Sequence, residues 1–188
     1  MNIAVHAGHA VVGARGASLY MDEVKKNRLL KKYFVQFAKK SKEVNIEDIT
    51  VHTGSVYGVL SGIKKTFSEK CDQRKKKWLN ISIHLNASSN REAHGFEIFV
   101  KPEILANKKK RQALESLCEE FCEKTGFYNR GVKKSTGLYV LNNLPNCVLC
   151  EVGFVTSKKD TEIYEKLHSK KIACILADCV VKYGKEIL

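Results

Sequence analysis

The strongest constraint on the fold is where the polar groups with chemical capability fall. They sit at the ends of short apolar runs, in a chain that alternates strand-like and helix-like segments. Residues 2–7 form an apolar run that closes on Gly8 and His9. In residues 78–85, Leu79, Ile81 and Ile83 alternate with Asn80 and Ser82, and His84 follows. Residues 147–152 are apolar except at Glu151. Alternation with period two marks a strand; recurrence every three to four residues marks a helix. By the second rule 22–40, 57–75, 103–125 and about 159–184 are expected helices, the third ending at Gly126. Further strands are expected at 49–52, 95–100 and 138–141.

Strands alternating with helices of this length predict an α/β fold with a mixed, mostly parallel sheet flanked by helices on both faces. The close succession of 78–85 and 95–100 allows one antiparallel pair. With 188 residues, only two prolines and no linker-like or repetitive tract, the chain reads as one domain over 1–188. No window approaches the 18 apolar residues of a membrane span. The N-terminus lacks the basic, apolar and cleavage segments of a secretory leader, so synthesis in a cytoplasm is expected. The seven cysteines are an odd number set mostly among Val, Leu, Ile and Phe. They read as reduced core residues; neither Cys147-x-x-Cys150 nor Cys118/Cys122 has the second pair that a zinc ribbon needs.

Lys and Arg total 33 against 20 Asp and Glu, a net charge of +13. That excess favours an anionic partner, and much of it lies in lysine runs on helix-like segments, including 25–26, 31–32, 39–40, 75–77 and 108–110. A basic module binding nucleic acid or another anionic polymer accounts for the charge. It leaves the strand-end groups unexplained, and no aromatic stacking platform for single strands is evident, so no nucleic-acid partner is expected.

In an open α/β sheet the functional crevice lies beyond the carboxyl ends of the strands. His6 and His9 reach that edge from the first strand, His84 from a second and Glu151 from a third. Glu23 opens the first expected helix and can reach the same edge. A carboxylate inside the run 147–152 is costly without a partner. Two histidines and one carboxylate form a catalytic zinc set with a fourth position open; a second carboxylate, Glu151, suits the proton transfer. A zinc peptidase satisfies the same ligand set.

The segments Ala7-Gly8-His9, Asp22-Glu23, Ser82 to Ser88, Gly95 to Ile98, Asn129 to Lys133 and Pro145 to Phe154 occur in an order that resembles the zinc-dependent N-acetylmuramoyl-L-alanine amidases of bacterial and phage cell-wall lysis. The resemblance runs from residue 2 to about 180 and is most specific around His84 and Glu151. It implies one zinc ion held by His9, Glu23 and His84, with Glu151 as the catalytic glutamate. It also implies peptidoglycan as substrate, cleaved between N-acetylmuramic acid and L-alanine. The sequence departs from the family where glycines usually follow the first histidine, and His6 stands in place of an aspartate. Asn86, Arg130 and His94 are candidate groove residues. A chain without a leader fits action on the cell wall after phage-type release, with the positive charge holding it to anionic wall polymers.

Overall fold

The computed structural model describes residues 1–72 and 76–188. Six strands form the main sheet: β1 (Asn2–Ala7), β3 (Asn45–Asp48), β5 (Trp78–Asn86), β6 (Phe96–Val100), β7 (Asn129–Lys134) and β8 (Cys147–Phe154). Their order is β3-β1-β5-β8-β6-β7, and every pairing is parallel except β6 with β8. The sheet is therefore mixed and mostly parallel, as expected. Its antiparallel pair joins β6 to β8 rather than to the strand preceding it in sequence. A second, two-stranded sheet pairs β2 (Val12–Gly13) with β4 (Thr53–Gly54).

Strand alternation divides the sheet into two unlike faces. Ile3, Val5, Leu79, Ile81, Ile83, Phe96, Ile98, Val148, Cys150 and Val152 point to one face. Helices α1 (Glu23–Ala38), α4 (Lys108–Thr125) and α6 (Lys158–Ile187) cover it. The opposite face carries Ala4, Trp78, Cys147 and Leu149 and is closed by α2 (Val56–Lys70) and α5 (Tyr139–Asn143). The second face also holds the polar row Asn80, Ser82 and His84. Helices thus flank both faces, and no helix among the described residues is long and apolar enough to cross a membrane.

Local chemistry corrects several expected elements. The strand near 49–52 lies earlier, at Asn45–Asp48, and His52 falls outside it. Thr50 N–H donates to Asp48 Oδ1 at 3.0 Å and turns the chain, while Ile49 is buried from the loop. Residues 138–141 are not a strand: Val140, Leu141 and Leu144 pack as one face of α5 and its cap. β7 was not expected, because NRGVKK offers only one apolar residue; as an edge strand it needs few. The helix over 103–125 is two helices, α3 (Pro102–Ala106) and α4, broken at Asn107, whose side chain accepts from Lys110 N–H. Gly126 ends α4 in the left-handed conformation, as expected. The helix over 57–75 ends at Lys70; its residues 73–75, with part of the 75–77 lysine run, lie outside the described residues. The last helix bends at His168, an exposed residue with φ 57°. Six of the seven cysteines are buried and all are free.

Candidate metal centre and active site

The carboxyl ends of β1, β5 and β8 gather four of the expected residues at one edge. Parallel register places His84 of β5 beside Glu151 of β8, and the antiparallel pairing places Glu151 beside Glu97 of β6. Three titratable groups thus stand in a row across adjacent strands. Glu23 arrives from the first turn of α1, which Asp22 caps by accepting from Lys25 N–H. The loop after β1 supplies His9, held at φ 60°.

Glu23 Oε1 lies 3.1 Å from His9 Nε2 and 3.2 Å from His84 Nδ1. One donor atom from each of these residues falls within 4.8 Å of the others. Ligands about 2.0–2.1 Å from a tetrahedral zinc stand about 3.3 Å apart, a spacing the two Glu23–imidazole distances match. Two glycines make room. A Cβ at Gly8 would overlap the His84 ring, and one at Gly16 would overlap the Glu23 carboxylate. The donor set and the cradle around it both fit zinc.

The rest of Glu23 is fully engaged. Oε2 accepts from Ala17 N–H at 3.0 Å, and Oε1 accepts from Leu85 N–H at 3.3 Å and Asn27 Nδ2 at 3.4 Å. Burial raises its pKa, but the His84 and His9 contacts outweigh burial and hold it well below the usual carboxylate range. The pKa of His84 is lowered by burial and raised more by Glu23 and Glu151, with a net rise.

Glu151 has the opposite surroundings. Its Oε2 is buried without a hydrogen-bond partner among the described residues. Burial pushes its pKa from 4.5 to about 7; His84 opposes the rise, while the charges of Glu23 and Glu97 add to it. Glu97, which sequence reasoning did not single out as a site residue, is the neighbouring buried anion. It accepts from Arg130 Nε at 2.7 Å, from Asn86 Nδ2 at 2.7 Å and from Lys133 Nζ. The Lys133 and Arg130 contacts hold its carboxyl below the usual range against the effect of burial. Asn86 and Arg130 therefore sit one carboxylate away from Glu151. His94 lies farther out: its Nδ1 is 2.7 Å from Glu92 O, and its ring meets Tyr128 at 5.3 Å.

Arg28 was also missed. Its guanidinium donates to the carbonyls of Ala7 at 3.1 Å, His9 at 2.7 Å and Val51 at 3.0 Å. A residue with a side chain at positive φ is uncommon and needs such restraint. Arginine five positions after Glu23, on a lysine-rich helix, reads as one more solvated charge; nothing local marks it. His6 is separate from the ligand group. It is fully buried with neither ring nitrogen partnered among the described residues, and burial lowers its pKa to about 3. It lies at the floor of a cavity of about 170 Å³ that opens beside His9 and His84 and is walled by Val59, Leu60 and Ile63 of α2.

Residues 64–181 match the N-acetylmuramoyl-L-alanine amidase family. The chain belongs to that family. A curated relative from Clostridium perfringens, an uncharacterized 38.4 kDa protein, is 30% identical over 199 residues; the match takes in all of this chain and 53% of the relative. The chain thus spans about half the length of that relative. Among solved structures, the catalytic domain of an endolysin targeting Clostridia difficile superposes with a TM-score of 0.79 at 22% identity, over 97% of each chain. An N-acetylmuramoyl-L-alanine amidase of Nostoc punctiforme gives 0.78 at 19% identity, over 98% of this chain and 97% of the other. At these identities the structural likeness speaks for the fold, which the family shares.

Proposed function

We propose that this chain is a zinc-dependent amidase that cleaves peptidoglycan between N-acetylmuramic acid and the L-alanine of the stem peptide. His9, Glu23 and His84 hold one zinc ion, and Glu151 moves the proton. The observation that carries the reading is the contrast within one site: a buried carboxylate saturated with partners between two histidines, and a second, on the strand beside His84, with an oxygen unpartnered among the described residues and a raised pKa. Family membership supplies the substrate class.

A zinc ion in this site supplies Lewis acidity to the scissile carbonyl and lowers the pKa of water near it. Glu151 in its carboxylate form accepts a proton from the attacking water at Oε2, the oxygen left unpartnered among the described residues. The same oxygen then delivers the proton to the leaving amine of L-alanine. A raised pKa favours both halves of that exchange near neutral pH. Glu97 keeps Glu151 basic through its charge and is itself neutralised by Arg130 and Lys133. Arg28 fixes the loop that carries His9. Asn86 and Arg130 orient Glu97.

The chain acts at the cell wall, in the manner of an endolysin released from a cell, and its positive charge favours anionic wall polymers. Mass spectrometry of purified peptidoglycan after incubation, with and without chelator, tests the bond and the metal together. Stem peptides with a new free N-terminal alanine, appearing only when metal is present, are expected. Peptide fragments cut elsewhere would instead support a zinc peptidase.

A further inference from the structure

A second concavity, of about 360 Å³, lies on the same edge of the sheet as the metal centre. Its walls come from three segments, each joined to a site residue: Tyr20 precedes Glu23, Arg91 and Glu92 follow His84, and Thr156 to Lys159 follow Glu151. Hydrogen bonds stitch these segments together. Tyr20 N–H donates to Val155 O at 3.0 Å, Val155 N–H to Asn86 O at 2.8 Å, and Ser88 N–H to Thr156 Oγ1 at 3.1 Å. The groove is thus fixed relative to the scissile-bond site.

Its charge is unbalanced. Arg91, Lys158 and Lys159 line it against the single anion Glu92, which lies 3.5 Å from Lys159. Among the described residues, Arg91 and Lys158 have no carboxylate partner; Lys158 sits 5.9 Å over the Tyr20 ring. Asp160, next in sequence to Lys159, is turned inward, accepting from Gly95 and Phe154 N–H. The first turn of α6 forms part of the wall and adds the positive end of its dipole. Two cations without a carboxylate partner among the described residues, on a cleft fixed by these hydrogen bonds, suit an anionic group.

We propose that this groove is a substrate subsite for a free carboxylate of the stem peptide, engaged by Arg91 and Lys158 while the scissile amide lies at the metal centre. The proposal rests on the amidase reading above. It makes the chain selective between stem peptides whose carboxylate near the cleaved bond is free and those in which it is amidated.

The test uses two soluble muropeptides that differ only in a free or an amidated α-carboxyl on the second stem residue, with zinc-loaded wild-type protein and the double variant Arg91→Gln/Lys158→Gln. Both substituted side chains lie on the surface, and circular dichroism checks that the fold is kept. Wild type should favour the free carboxylate by about fivefold or more in kcat/KM, mainly through KM. The double variant should lose that preference while cleaving the amidated substrate as wild type does. Lys158→Arg, which keeps the charge, should retain the preference. A preference that survives in the double variant, or equal losses on both substrates, would overturn the proposal. So would unchanged muropeptide selectivity with weakened lysis only of walls bearing phosphate polymers, which would assign the groove to those polymers. Cleavage of the amidated substrate by wild type shows that the amidase reading stands in each of these cases; if wild type cleaves neither, that reading fails and the subsite falls with it.

Discussion

Glu23, in the first turn of α1, and Glu151, on β8 beside His84, are two carboxylates of one site, and the protein treats them in opposite ways. Glu23 receives two backbone N–H groups, an asparagine amide and two histidines, and is held ionised. Glu151 is left with an unpartnered oxygen among neighbouring anions, and its pKa rises to about 7. A group that receives every available donor is built to stay charged and fixed, as a ligand must. A group denied donors can take up and release a proton near neutral pH. Residue type is the same in both corners; the supply of donors sets the role.

Replacing each carboxylate by its amide should separate the two roles. Glu151→Gln is expected to lower kcat by about 10²–10⁴-fold while zinc content, measured by atomic absorption, stays at the wild-type level. Glu23→Gln should weaken zinc binding by more than the roughly 10–100-fold that loss of an outer partner costs, as read by competition with a chelator. Arg28→Met leaves three carbonyls without their donor and frees the His9 loop. It should cost about tenfold in zinc affinity, and Arg28→Lys should recover only part, since one ammonium cannot span the three carbonyls.

The titration of Glu151 sharpens the comparison through stability. Its pKa in the fold lies above 4.5, so folding favours the protonated form. That contribution is full below pH 4.5 and is lost as pH rises through about 7. In zinc-free protein, Glu151→Gln should therefore raise Tm by roughly 5 °C at pH 8 and leave it nearly unchanged at pH 4.5, by differential scanning fluorimetry. The smallest effect is expected at Glu97. Glu97→Gln removes an anion that raises the pKa of Glu151 and releases the Arg130 and Lys133 cations. The acid limb of the kcat/KM profile should move to lower pH by a fraction of a unit.

The fold was legible where the core imposes a period. β1, β5 and β8, which carry the site, follow from apolar runs buried on one or both faces, and the helices from their apolar stripes. Elements at the margin were not legible. β7 is a polar edge strand, and α5 is too short to show a helical period. His9, His84 and Glu151 stood out because each follows or interrupts an apolar run, and Glu23 because it opens the first helix within reach of the same edge. Glu97 sat in an equally apolar strand but lacked a companion until the antiparallel register set it beside Glu151. Arg28 acts through carbonyls, which leave no trace in side-chain sequence.

Zinc stoichiometry and amidase activity measured on the same samples of Glu23→Gln and Glu151→Gln test the division of roles most directly. The account predicts a zinc-loaded, inactive Glu151→Gln and a Glu23→Gln that has lost its zinc. A Glu151→Gln protein that loses zinc, or a Glu23→Gln protein that keeps zinc and turns over peptidoglycan at the wild-type rate, would contradict it.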